Sequence, residues 1–250
     1  MVFGLEFPPI GEIVDWKPFG LGLNKTGVLF IASMAITLAI FLVAGRRRSL
    51  VPTGVQNVAE SSIEFIRESV ILQTMGPEGL NWTLYLTTLF FFLLFANIFE
   101  VLPFIQFPAT SRMAMPLTLA LLTWVLYNYV GIKHQGFRGY MRSSLFPPGV
   151  PKALYILVTP IELLSTFIVR PFSLAVRIFA NELAGHLLLV TFSVLCAALW
   201  TKSFLIVVLP VSFVMLVLMT LFEILVAFLQ AFIFTILTAV YIGGAMHPEH

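Results

Sequence analysis

Residues 171–192 read PFSLAVRIFANELAGHLLLVTF, and this apolar run holds Arg177, Asn181, Glu182 and His186. A cation deep in hydrocarbon costs on the order of 2.5–3.5 kcal/mol even on the lenient insertion scale, so Arg177 must face protein or water for a reason. The stretch reads as a membrane helix, and its polar groups point to charge movement across the membrane.

The rest of the chain agrees. Of 250 residues, 59% are hydrophobic and 10% are charged, which is the composition of an integral membrane protein. Val28 to Ala44, Trp82 to Phe99 and Met113 to Ile132 are uncharged runs of 17, 18 and 20 residues, each near the length that spans about 30 Å of hydrocarbon. The segment before them carries Glu6, Glu12 and Asp15 without a basic start or a small-residue cleavage site, so no removed signal peptide is expected and the first span serves as an anchor.

Lys and Arg set the orientation. Arg46, Arg47, Arg48 and Arg67 follow the first span, and Lys133, Arg138, Arg142 and Lys152 follow the third, against Lys17, Lys25, Arg112 and Lys202 in the alternate segments. This bias places the N-terminus outside and the C-terminus in the cytoplasm. A net charge of +2 gives no basis for a nucleic-acid partner. Cys196 is the single cysteine, which excludes an intrachain disulfide and a Cys-based metal site. No cofactor or metal is expected.

Between the first two spans, Thr53 with Gln56 resembles a capping box, and Val55, Val58, Ile63, Ile66 and Val70 recur at helical spacing. The spacing predicts an amphipathic helix over 53–75 on the inner surface. Phe146 to Pro151 then separates three ordinary spans from a different second half. The organisation is one membrane domain over 1–250: an external segment 1–27, three spans with the inner-surface helix in 28–132, an inner loop 133–153, a long hairpin 154–245 and an inner tail 246–250.

The hairpin arms are too long for upright spans. Leu154 to Leu199 is 46 residues and Phe204 to Ala245 is 42, separated by Trp200-Thr201-Lys202-Ser203. A 42-residue helix is about 63 Å long, roughly twice the hydrocarbon thickness. From Val211 to Ile242 there is neither Pro nor Gly, so the second arm is expected to be one steeply inclined helix, while Pro160 and Pro171 can bend the first.

At 100° per residue, Arg170, Ser173, Arg177 and Asn181 share one stripe, and Glu182 with His186 lies on another face. Glu223 and Gln230, seven apart, face the same way. Folding the hairpin about residues 201 and 202 puts Arg177 level with about residue 226, giving the outside-to-inside order His186, Glu223, Arg177, Gln230. His and Glu accept and release protons, whereas Arg, with a pKa above about 12, stays charged. Ser173, Ala180, Ala184 and Gly185 flatten the helix surface, which suits close packing or a sliding contact. For Glu182 a structural hydrogen bond and a channel role are equally open.

These motifs resemble subunit a of the bacterial F-type ATP synthase, the membrane stator of a proton-driven rotor. Residues 170–188, RPFSLAVRIFANELAGHLL, and 221–242, LFEILVAFLQAFIFTILTAVYI, are similar to that family's last two helices, and Asn97 to Pro103 is similar to its NxxxxxP element. The resemblance spans roughly residues 26 to 246. It implies an all-α integral membrane protein of about five membrane helices plus the interfacial helix, in the bacterial plasma membrane. It implies a stator with two aqueous half-channels that load and unload rotor carboxylates. Arg177 matches the essential arginine, Gln230 its partner on the last helix, and His186 and Glu223 two polar positions of the outer path. Asn181 completes the proton-translocation set, while Asn97, Glu100 and Glu182 line the outer half-channel. The implied partners are the ring of c subunits, b-type peripheral-stalk subunits, the other ATP synthase subunits, the lipid bilayer and protons.

A secondary proton-coupled transporter is the alternative, but it would show two related halves with helices broken at corresponding places, which this chain lacks. A haem-binding anchor would need paired membrane histidines, and only His186 lies in an apolar run. The chain has no Gly-rich nucleotide loop and no catalytic triad, so no nucleotide chemistry resides in it.

Overall fold

A computed structural model describes residues 25–46, 53–102, 105, 110, 112–146, 151, 154–200 and 204–246. Glu6, Glu12, Asp15, Lys17, Arg47, Arg48, Pro103, Lys152, Thr201, Lys202 and the tail from His247 lie outside the described residues.

All regular elements among the described residues are helical: α1 (Lys25–Arg46), α2 (Val55–Ile66), α3 (Thr83–Ile98), α4 (Ala114–Leu145), α5 (Tyr155–Leu164), α6 (Arg170–Leu199) and α7 (Leu209–Met246). Five helical segments are long and apolar enough to cross a membrane: Thr26–Arg46, Pro77–Ile98, Ala114–Leu145, Tyr155–Leu199 and Ile206–Met246. The fold is all-α and multi-pass, as the three charge-free runs and the two long apolar arms required. The helix between the first two spans starts at Val55 behind Gly54, whose φ is 59°, and no side chain caps it. The Thr53 capping box does not form; Gln56 instead donates from Nε2 to Glu60 Oε1 at 2.7 Å, one turn on.

The first arm of the hairpin is two helices joined by a wide turn, Ser165–Val169. Proline explains the turn. In its widened pattern Arg170 N–H reaches Ser165 O, and the next donor in line would be residue 171 to Thr166 O. Pro171 has no N–H to give. Tyr127 Oη, from α4, donates to Thr166 O at 2.8 Å instead, so the bend is both caused by a proline and held by a neighbouring helix.

The second arm has no such interruption. A tight turn, Phe204–Val208, leads into the 38 residues of α7, with Pro210 in the first turn where its missing N–H costs nothing. At 1.5 Å per residue this helix is about 57 Å long.

Helix α4 continues past the expected end of the third span, but Gly136, with φ 74° and ψ 160°, breaks it. That backbone region is open essentially to glycine alone. Beyond the break the chain returns, so that Tyr140 covers Gly131 and donates from Oη to Asn128 Oδ1 at 3.0 Å. Gln135 Nε2 donates to Ala245 O at 2.7 Å, tying this corner to the end of α7.

The core lies where α3, α4, α6 and α7 meet, with Leu86, Leu93, Ile178, Phe234 and Ile242 fully enclosed. Helix α1 packs on α3 and leaves most of its surface outward. Most exposed side chains of α6 and α7, among them Phe172, Leu188, Val214, Leu218, Leu221 and Leu225, are apolar, as suits a surface bathed in lipid or covered by another membrane protein.

Candidate functional site

The polar residues of the hairpin converge on one region between α6, α7 and the turn that follows α3. Helical spacing does the first part of the work: Glu182 and His186, four apart, turn inward together, while Asn181 lies on the exposed stripe with Ser173. Glu182 is 3% exposed, His186 4%, Glu223 5% and Glu100 3%. Burying four titratable side chains at one level is expensive, and in an apolar bundle such groups mark a site rather than a scaffold.

Glycine makes the closest approach possible. A Cβ at Gly185 would collide with the Glu223 carboxylate, so Glu223 lies against the bare backbone of α6. One residue later, His186 Nδ1 stands 3.8 Å from Glu100 Oε1. The carboxyls of Glu100 and Glu182 meet within hydrogen-bonding reach, and Glu223 is near enough to act electrostatically on both. Glu100 sits in the turn beyond the α3 span. Burial pushes its carboxyl up to about 8, the hydrogen bond from Glu182 works against that shift, and the Glu223 charge adds to it.

A cavity of about 410 Å³ opens beside this cluster, lined by Glu100 and His186 together with Leu189, Ser193, Leu216 and Thr220. It is large enough for several waters, at roughly 30 Å³ of liquid volume each. Asn97 is fully buried at the end of α3 and is not among the residues lining the cavity; it accepts at Oδ1 from Thr110 Oγ1 at 3.3 Å, and its backbone carbonyl accepts from Glu100 N–H at 3.1 Å. Its part is to shape the turn that carries Glu100.

A second polar pair lies further along the hairpin. Asn181 Nδ2 donates to Gln230 Oε1 at 3.0 Å, joining α6 to α7. With Asn181 opposite Gln230 and Gly185 opposite Glu223, the register differs from the one expected from a pivot at 201–202. These pairs put the pivot near residues 204–206, within the 3₁₀ turn Phe204–Val208. His186 and Glu223 therefore share a level, Asn181 and Gln230 form the next, and Arg177 comes last, about one turn past Gln230 rather than before it.

Arg177 is half-buried on α6, and among the described residues it makes no ion pair or side-chain hydrogen bond. Arg170 behaves differently: its guanidinium lies 5.6 Å from the centre of the Tyr241 ring. Glu162 is part-exposed on α5, fifteen residues from Arg177 along the first arm. No cluster of three or more His, Cys, Asp or Glu fit to hold a metal occurs among the described residues.

Two residues of this region carried no role in the sequence reading, Ser193 and Thr220, and Gly185, read there as a small packing residue, proves to be where Glu223 seats. Ser193 follows His186 by seven and Thr220 precedes Glu223 by three, so both share a helix face with a residue already singled out. That periodicity was the available signal.

Comparison with known proteins gives the family. The chain is 43% identical to ATP synthase subunit a of Frankia alni, across 99% of this chain and 88% of that protein. It is 40% identical to ATP synthase subunit a of Rhodococcus erythropolis, across 98% and 89%, and 36% identical to that of Maricaulis maris, across 96% of both. The family model described as ATP synthase A chain matches residues 27–243, and the chain therefore belongs to the ATP synthase A chain family, membrane stator subunits that take part in the proton translocation of the synthase.

Proposed function

We propose that the chain forms the stationary proton path of an ATP synthase in the bacterial plasma membrane, with its N-terminus outside and its C-terminus cytoplasmic. One observation carries this reading above the rest. Glu100, Glu182, His186 and Glu223 gather beside a cavity on one side of Arg177, with the Asn181–Gln230 pair between them.

The outer half-channel runs from the cavity through His186 and Glu100 to Glu223, past the turn shaped by Asn97. Protons that arrive there load a carboxylate on each c subunit of the rotor ring, which seats against the exposed stripe of α6. A rotor carboxylate must be neutral while it faces lipid, because the ionised form would bear the full burial cost. Beside Arg177 the ionised form is favoured, so the carboxyl gives up its proton to the inner half-channel. The absence of an internal partner for Arg177 among the described residues supports this, since a guanidinium already paired within the chain would have less to offer an arriving carboxylate.

Arg177 also keeps protons from crossing directly, because a fixed cation between two water paths repels them. The driving force is about 2.3 kcal/mol per charge per 100 mV of membrane potential, together with the pH difference. Gln230 and Asn181 hold α6 and α7 in register around this point. The b-type stalk subunits anchor the chain against rotation, and the chain itself performs no nucleotide chemistry.

The test is proton-driven ATP synthesis by the whole complex in proteoliposomes carrying Arg177→Ala or Arg177→Lys. Both should abolish synthesis, since lysine supplies a compact, titratable charge without the planar fork. Near-normal synthesis with Arg177→Ala would refute the reading.

A further inference from the structure

We propose that Glu182 is a proton-holding relay acid, which passes its proton to Glu223 and is refilled through Glu100. The proposal rests on the reading of the cavity as a water path to the rotor.

It begins with the hydrogen bond between the two carboxyls. Two carboxylates are both acceptors and cannot bond to each other, so where the Glu182 and Glu100 carboxyls meet a proton must lie between them. The second Glu182 oxygen, Oε2, is fully buried and has no hydrogen-bond partner among the described residues. An ionised Glu182 would leave most of its acceptor sites unsatisfied in an apolar bundle, whereas a neutral acid leaves one.

The charged and titratable groups around it point the same way. Glu100 faces Glu182 from the turn after α3, Glu223 faces it from α7, and His186 stands one turn along α6. Arg177, five residues back, projects about 140° away around the helix and does not neutralise the cluster. Three carboxyls with one histidine among them cannot all be ionised, because like charges at this separation force protonation. At least one proton resides here.

Access completes the assignment. The cavity reaches Glu100 and His186 but not Glu182 or Glu223. The O–H of Glu182 breaks as a new O–H forms on the Glu223 carboxylate; Glu182 takes the proton of Glu100, Glu100 is refilled by a hydronium ion of the cavity water, and Glu223 gives its proton to the rotor carboxylate. One proton enters, one leaves, and no other reactant is needed.

Glu182→Gln separates relay from scaffold. A glutamine side chain matches the size of Glu182 and can still donate to Glu100 from its amide, yet it has no transferable proton. Complexes carrying Glu182→Gln should assemble in normal amount and load the rotor from outside at least 10-fold more slowly. The infrared difference spectrum of wild-type minus Glu182→Gln complex should show a protonated-carboxyl band, with rotor carboxyls cancelling. Glu182→Asp, an acid one methylene shorter, should recover part of the rate with an altered external-pH profile; it also serves if the glutamine variant fails to assemble. Wild-type rates in Glu182→Gln, or no carboxyl band in the difference spectrum, would overturn the proposal. Should Glu182→Gln be harmless while His186→Ala and Glu223→Gln still block loading, only the relay role falls. Should all three be harmless, the cavity path falls with it.

Discussion

The carboxylate of Glu223 occupies the space that any side chain at position 185 would need. The glycine is thus a seat, and the closeness of α7 to α6 at this level depends on it. Gly185→Ala should push Glu223 away from its neighbours, an overpacking change costing on the order of 1–3 kcal/mol, and cut outside-driven proton uptake sharply. Glu223→Asp in the same chain shortens the intruding side chain and should return part of the activity. A double-mutant cycle on ATP-driven proton pumping checks this, and purely additive losses would deny the contact its role.

Asn181 and Gln230 should behave as a unit. Removing the Asn181 amide leaves the buried Gln230 Oε1 without its donor, a loss of about 1–3 kcal/mol. Asn181→Ala and Gln230→Ala should each lower the thermal-inactivation temperature of the complex, and the double variant should fall little below the worse single one.

Glu100 gives the path a pH limit. Burial raises its carboxyl to about 8, so the group is protonated below that value and ionised above it. External-pH titration of ATP synthesis, at constant membrane potential, should therefore show uptake declining as the outer pH climbs through about 8. In Glu100→Gln the remaining rate should lack that limb.

The cavity should be open to the outer phase. With Cys196→Ala as background, cysteines placed at Ser193 and Thr220 should react with a small water-soluble thiol reagent added outside, and the reaction should inhibit proton flow. A cysteine at Met34, on the lipid-facing surface in the middle of the α1 span, should not react with the same reagent.

Much of this was legible in the sequence. Three spans follow from charge-free runs of membrane length and two from the over-long apolar arms, and the candidate site follows from polar groups that an apolar helix would otherwise exclude. The hairpin register was not legible. It turns on whether Phe204–Val208 is a tight turn or the start of α7, and five apolar residues carry no signal for either. The place of Gln230 relative to Arg177 shifted with it. Glu182 was undecidable from spacing alone, because its partner Glu100 comes from a turn more than eighty residues away, and only the tertiary fold brings the two together. The bend at Ser165–Val169 was half legible: Pro171 announced it, while Tyr127, the group that satisfies it, lies on another helix.

The most direct measurement is the response of proton-driven ATP synthesis to His186→Ala, Glu223→Gln and the double variant across external pH. Both side chains stand at one level beside one cavity, so the account predicts that each loss is large, that each single variant shifts the pH profile, and that the double variant is little worse than either. Losses in activation free energy that simply add, with the pH profile unmoved, would contradict it and make the two residues separate structural groups.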